Sequence, residues 1–433
     1  MHKLLSDMVL FGELPEYSLL KELGNISVCC ENGEGDMDIV RKNFFVQVKK
    51  LLEMAVKYGF EGDIWHSYII YLLIMDENPF TRVCEKKRDV EGSIVEFGKE
   101  DITVFKKLYD YDFSDMERTL GVNTMARVKN FKPAWDESAM YHKNICEKVK
   151  ALKVVLDKAE SDEDFFKCVT DFYTAFGFGE FGLNRAFRIT TKADDSVKFL
   201  PINNMERVML DDLIGYEIQK KKLVENTKAF VDGKKANNVL LYGDSGTGKS
   251  TSIKAIVNEF YGDGLRMIEV YKHQFKYLSQ LIAQIKDRNY KFIIYMDDLS
   301  FEDFETEYKF LKAVIEGGVE TKPDNVLIYA TSNRRHLVKE TWKDRDDVEM
   351  DNGLHHSDTM QEKLSLAYRF GVTINYQRPG QKEFFKIVVE LARRNGIDMP
   401  EDEICAEANK WELSHGGISG RTAEQFVTHL MGI

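Results

Sequence analysis

"NVLLYGDSGTGKS", residues 238–250, is the stretch that decides the fold. Val239, Leu240, Leu241 and Tyr242 form a short β-rich run that ends on a glycine, as a buried strand does. "GDSGTGKS" (243–250) then fits G-x-x-x-x-G-K-[ST], and "TSIKAIVNEF" (251–260) follows with helical periodicity. Strand, glycine loop and helix start are what phosphate binding requires. Glycines let backbone N–H groups curl around an anion, and the helix N-terminus adds its positive end. Lys249 is the candidate to reach β- and γ-phosphate oxygens, and the Ser250 hydroxyl is the candidate Mg²⁺ ligand. Asp244, Ser245, Gly246, Thr247, Gly248 and Thr251 complete the expected binding loop. ATP and Mg²⁺ are the expected substrate and cofactor.

Outward from this loop the same alternation continues. "LRMIEV" (265–270), "KFIIYMD" (291–297), "NVLIYATSN" (325–333) and "GVTINY" (371–376) are short, nearly continuous apolar runs with helical segments between them. Such runs suit strands covered on both faces, as in a parallel sheet. We therefore expect an α/β fold with a five-stranded parallel sheet over 196–376. Helical sequence returns over 377–433 as a small C-terminal lid. Residues 1–195 read as a mainly α-helical N-terminal domain, with periodic stretches such as "NFFVQVKKLLEMAVKYGF" (43–60).

"FIIYMDD" delivers two carboxylates at a strand end: Asp297 to hold Mg²⁺, and Asp298 to polarise an attacking water. The extra strand "LRMIEV" between the loop and "FIIYMDD" is consistent with the hydrolase branch of P-loop proteins, although order in sequence is not order in space. Glu302 is a substitute candidate for the base. Asn333 ends the next strand, as a water-orienting side chain or as a plain helix cap. Arg369, in "RFG", is an arginine finger acting in trans or a surface salt bridge. Arg421, in "SGRTAEQF", opens a helix and offers a guanidinium fork to polyphosphate.

The bulk properties limit the partners. The chain has 433 residues and a net charge of −12, which disfavours general affinity for nucleic acid or anionic membrane. Its six cysteines lack ligand or framework spacing, so reduced thiols in a cytoplasmic protein are expected. The apolar run over 68–75 is far too short to span a bilayer. "GFGEFG" (177–182) matches G-x-G-x-x-G, but helical sequence precedes it and no helix opens on it, so a glycine-rich connector is expected. His355-His356 lie in a polar stretch (338–363) with no third ligand at metal spacing. Arg334, Arg335 and His336 form a small basic cluster.

Together these motifs resemble AAA+ ATPases in kind and order. "NVLLYGDSGTGKS", "DDLSFE", "YATSNRRHL", "LAYRFGVT" and "SGRTAEQF" resemble more narrowly the bacterial group catalogued as domain of unknown function 815, over residues 165–433. "DDLIGYE" (211–217) resembles the segment that packs against adenine there, which makes Ile214 and Gly215 candidate base contacts. The resemblance implies a nucleotide-binding core, a helical lid, and a homo-oligomer, often a ring, with Arg369 completing a neighbour's site. It implies an ATPase that remodels or switches a protein client through the N-terminal domain, with slow hydrolysis because aspartate replaces the usual glutamate at position 298. A nucleic-acid loader or initiator-like protein, an ATP-gated switch with little hydrolysis, and a small-molecule phosphotransferase are the other readings.

Overall fold

The computed structural model describes every residue except 87–90, 134–142, 204, 302–306, 317–322, 335–336, 338–365 and 433. Glu302, Arg335, His336 and the His355-His356 pair lie outside the described residues. The chain divides into two compact units, Met1–Asn184 and Arg185–Ile433.

The first unit is built from helices around the apolar segment Ile64–Met75, in which every residue except His66 and Met75 is buried. A helix that is apolar all round must be enclosed on every side, and its neighbours here supply that. Asp63 caps it by accepting from the N–H groups of Trp65 and His66. Trp65 donates its indole N–H to the Leu108 carbonyl at 2.8 Å, so the large ring is buried with its polar handle satisfied. Asp101, fully buried, accepts from the backbone N–H groups of Val9, Leu10 and Phe11 at 2.7–3.2 Å. Among the described residues no helix is long and apolar enough to cross a membrane. The helix Asp162–Phe176 precedes "GFGEFG" as expected, whereas the short helix Gly179–Leu183 does start within it; no strand leads into its glycines as a cofactor loop requires.

The second unit carries one sheet of seven strands, in the order β2-β1-β4-β5-β6-β3-β7. They are β1 Ala186–Thr191, β2 Val197–Pro201, β3 Val239–Gly243, β4 Leu265–Glu269, β5 Lys291–Met296, β6 Val326–Ser332 and β7 Val372–Tyr376. The five expected strands are present and parallel. The count of five is corrected by β1 and β2, an antiparallel hairpin whose first strand pairs in parallel with β4. The division between the two compact units falls at Asn184/Arg185, so this hairpin belongs to the second unit. Its alternation is short and half polar, with Arg188, Thr191, Lys198 and Leu200 exposed, so only pairing to β4 commits it to strand.

Sheet order decides a point that the sequence left open. One strand does separate the phosphate-loop strand β3 from the aspartate strand β5, but it is β6; β4 lies on the far side of β5. Both faces of the sheet are covered. Val239, Leu241, Ile293, Tyr295, Leu327 and Tyr329 pack with Ile253, Ile256 and Val257 of helix Lys249–Phe260, and with Leu223 and Phe230 of helix Glu217–Val231. The alternate residues Leu240, Phe292, Ile294, Met296, Ile328 and Ala330 are buried too. Helices Gln381–Arg394, Glu401–Ser414 and Gly420–Met431 form the lid around Phe384, Val388, Ala392, Ile404, Ala408 and Phe426, with Ile214 packed against them.

Candidate nucleotide site

The site grows from the strand period. On β5, Tyr295 faces the side of the sheet that carries helix Lys249–Phe260, so Asp297, two residues on, emerges on that side just beyond the strand end. Tyr295 pairs with Tyr329 across β5 and β6, which carries Thr331 to the same end beside Asp297. Helix Lys249–Phe260 covers this face and presents its first turn there, and Ser250 donates to Asp297 Oδ1 at 2.7 Å.

The phosphate loop depends on its glycines. Gly243 has φ +134°, and a Cβ there would stand 2.1 Å from the Tyr376 carbonyl oxygen. Gly248 has φ +86° and immediately precedes the helix; a Cβ there would meet Leu213 Cδ2 at 2.9 Å. The lid reaches this loop directly, since the Arg421 N–H donates to the Gly246 carbonyl at 3.2 Å. Ser419 caps that lid helix through the Thr422 N–H at 3.1 Å, fixing the turn on which Arg421 sits.

Lys249 is largely buried and donates to the carbonyls of Gly243 (2.9 Å) and Asp244 (2.6 Å) and to Asn333 Oδ1 (3.0 Å). Burial draws its ammonium below the ordinary lysine value, against the raising influence of Asp244, Asp298 and Asp297. Burial also disfavours the charge on Asp297, but hydrogen bonds from Thr331, Tyr295 and Ser250 outweigh it and hold the carboxyl below its usual value. Asp298 has φ +50°, an uncommon conformation for a non-glycine residue. Its N–H donates to Thr331 Oγ1 at 2.9 Å, and its carboxylate accepts from Asn333 Nδ2 at 2.8 Å. Lys249, Asn333 and Asp298 thus form one polar chain.

These groups line a cavity of about 890 Å³. Of the expected site residues, Ile214, Ser245, Gly246, Thr247, Gly248, Lys249, Ser250, Thr251, Asp297, Asp298, Asn333 and Arg421 line it together. Gly215 and Asp244 are outside the lining. Gly215 sits in a turn at φ +81°, and Asp244 accepts from the Arg378 N–H at 3.0 Å. Arg369 is also outside it: its guanidinium pairs with Glu316, and its Nε is buried with no partner among the described residues. Sequence reasoning missed Tyr295, Thr331, Glu206, Leu213, Ile387, Leu391 and Glu424. For Tyr295 and Thr331 the signal was present, since each stands two residues before a residue that was identified. The lid residues carried no local signal.

The described residues include no group of three His, Cys, Asp or Glu placed to hold a metal by themselves. The donors present, a serine hydroxyl 2.7 Å from a carboxylate, are hard oxygens that suit Mg²⁺ shared with a substrate phosphate.

The family model described as "Protein of unknown function (DUF815)" matches residues 183–433. The chain belongs to this family. Its parallel α/β core carries the glycine loop at the end of β3 and is followed by a helical lid, as the motifs implied. Among solved structures, the DUF815 chain is similar to the Thermotoga maritima RuvB Holliday junction branch migration motor. That similarity has 16% identity and a TM-score of 0.32, covering 51% of this chain and 72% of that one. Two point mutants of the same protein match at TM-scores of 0.36 and 0.37, with 17% and 16% identity over 52% of this chain. The match spans 64% and 65% of those two chains. No curated protein sequence matches.

Proposed function

We propose that the protein is a Mg²⁺-dependent ATPase whose nucleotide state drives an oligomer that remodels or switches a protein partner. The observation that carries the reading is the convergence of Lys249, Ser250, Asp297, Asp298, Asn333 and Arg421 on one cavity, reached from the ends of two strands, the helix that follows the glycine loop, and the lid. In this reading Ile214, Leu213, Ile387 and Leu391 give the base an apolar seat. Backbone N–H groups of residues 245–250 cradle the phosphates. Lys249 releases its carbonyl and Asn333 contacts to bind β- and γ-oxygens. Ser250 and Asp297 hold Mg²⁺, which neutralises charge on the phosphates. Asp298 accepts a proton from the attacking water, and Asn333 orients that water.

Arg421 on the lid helix answers negative charge at the γ-phosphate and makes lid position depend on the nucleotide. Arg369 serves a neighbouring copy after leaving Glu316, which gives the oligomer its role. The N-terminal unit, with its own core, supplies the client surface. The Lys249–Asn333–Asp298 chain supports a second reading, an ATP-gated switch, because it occupies both the base and the water-orienting residue.

Phosphate release from ATP with Mg²⁺, followed across protein concentration for wild type and Arg369→Ala, tests the proposal. Specific activity is expected to rise with concentration in wild type and to stay flat and low in Arg369→Ala. Concentration-independent turnover, unchanged by Arg369→Ala, contradicts the oligomeric part.

A further inference from the structure

Asp297 is held by more than its expected role requires. Three hydroxyls converge on one oxygen, Oδ1: Ser250 Oγ at 2.7 Å, Tyr295 OH at 2.7 Å and Thr331 Oγ1 at 2.6 Å. Tyr295 and Thr331 are each only 2% exposed, so their hydroxyls are held chiefly by protein partners. Thr331 also accepts the Asp298 N–H at 2.9 Å, so one threonine side chain touches both aspartates of the pair. A phenol at position 295 costs the buried part of the strand, Phe292–Met296, the burial of an oxygen, and that oxygen finds its partner in Asp297.

We propose that Tyr295 and Thr331 are positioning residues that set how Asp297 engages the divalent cation. A carboxylate oxygen has about two lone-pair sites, so three donors oversubscribe Oδ1. Ser250 is the donor that leaves, because its oxygen is itself the candidate metal ligand. Tyr295 and Thr331 then fill Oδ1 between them. The carboxylate plane is fixed from below by one donor on its own strand and one on the neighbouring strand. Oδ2, which takes none of the three bonds, is the oxygen presented to the cation or its water. Through its second bond, Thr331 sets the backbone turn that carries Asp298, so metal-holding and water-activating carboxylates keep a fixed relation.

The inference rests on the Mg²⁺–nucleotide reading above, and the test separates the two. ATP binding is measured by calorimetry in EDTA and in saturating Mg²⁺, and Mn²⁺ binding to the ATP complex by electron paramagnetic resonance. The variants are Tyr295→Phe, Thr331→Val and Thr331→Ser. Partners that orient metal ligands typically contribute 10–100-fold to metal affinity, so a loss of about ten-fold in the metal-dependent gain is expected for Tyr295→Phe and Thr331→Val. Affinity in EDTA stays as in wild type, and Thr331→Ser, which keeps the hydroxyl, restores the gain. A wild-type gain in both hydroxyl-deleted variants overturns the inference. So does an equal loss with and without metal, or a loss confined to one variant that also melts early, since each marks a structural role. Absence of any Mg²⁺-dependent gain in wild type overturns the underlying reading instead.

Discussion

Gly243→Ala is the substitution whose consequence the geometry fixes most tightly. The added methyl would stand 2.1 Å from the Tyr376 carbonyl oxygen and 2.7 Å from its carbon, with φ held at +134°. That φ alone costs a non-glycine residue about 1–3 kcal/mol. Relieving the contact pushes β3 away from β7 where Gly243 pairs with Tyr376 and the Asp244 N–H donates to the Tyr376 carbonyl at 3.1 Å. Losing that hydrogen bond adds about 1 kcal/mol. The total of about 2–4 kcal/mol falls on the loop proposed to cradle phosphate. Gly264→Ala is the control, with φ +89° and no atom within 4 Å of its Cβ, so it carries the backbone term alone, about 1–2 kcal/mol. Urea unfolding and binding of a fluorescent ATP analogue read both variants. Gly243→Ala should lose binding by at least 100-fold and be the less stable by about 2 kcal/mol, while Gly264→Ala binds normally. Equal stability and normal binding in the two would refute the close approach of loop and β7.

Three further outcomes follow from named contacts. Asp101→Ala leaves three backbone N–H groups without their acceptor and should destabilise the N-terminal unit by about 2–4 kcal/mol, leaving nucleotide affinity unchanged; denaturant unfolding and ATP binding check this. Burial lowers the pKa of His66, which stacks on Tyr109 at 3.6 Å, against the raising influence of Asp63 and Asp157. A folded pKa below the unfolded value of 6.5 means that the unfolded chain binds the extra proton. Stability of that unit should therefore fall as pH drops below about 6.5, with a shallower slope in His66→Gln, measured as urea midpoint against pH. Arg421→Ala should weaken ATP by about ten-fold and ADP by less if, as proposed, the guanidinium answers the terminal phosphate; calorimetry with both nucleotides decides it.

What the sequence made legible divides along physical lines. β3 to β7 stood out because strands buried on both faces carry continuous apolar runs, and the phosphate loop because its glycines answer backbone demands that no other residue meets. β1 and β2 did not stand out. "AFRITT" and "VKFLP" are short and half exposed, and their strand character comes from β4, about 75 residues downstream of β1. The position of β6 between β3 and β5 depends on crossovers that leave no mark in local composition. Tyr295 and Thr331 follow from strand period and register once the neighbour of β5 is known. The pairing of Arg369 with Glu316 joins residues more than fifty apart and has no local signature.

The central claim is that the cavity turns over ATP with Asp298 as the base. Its most direct test is a single-turnover measurement: protein in excess over radiolabelled ATP and Mg²⁺, with bound nucleotide and released phosphate followed together in wild type, Asp298→Asn and Lys249→Ala. Wild type is expected to bind and cleave, Asp298→Asn to bind with cleavage reduced at least 100-fold, and Lys249→Ala to lose binding. ATP that stays intact on wild-type protein, or is cleaved equally fast by Asp298→Asn, contradicts it.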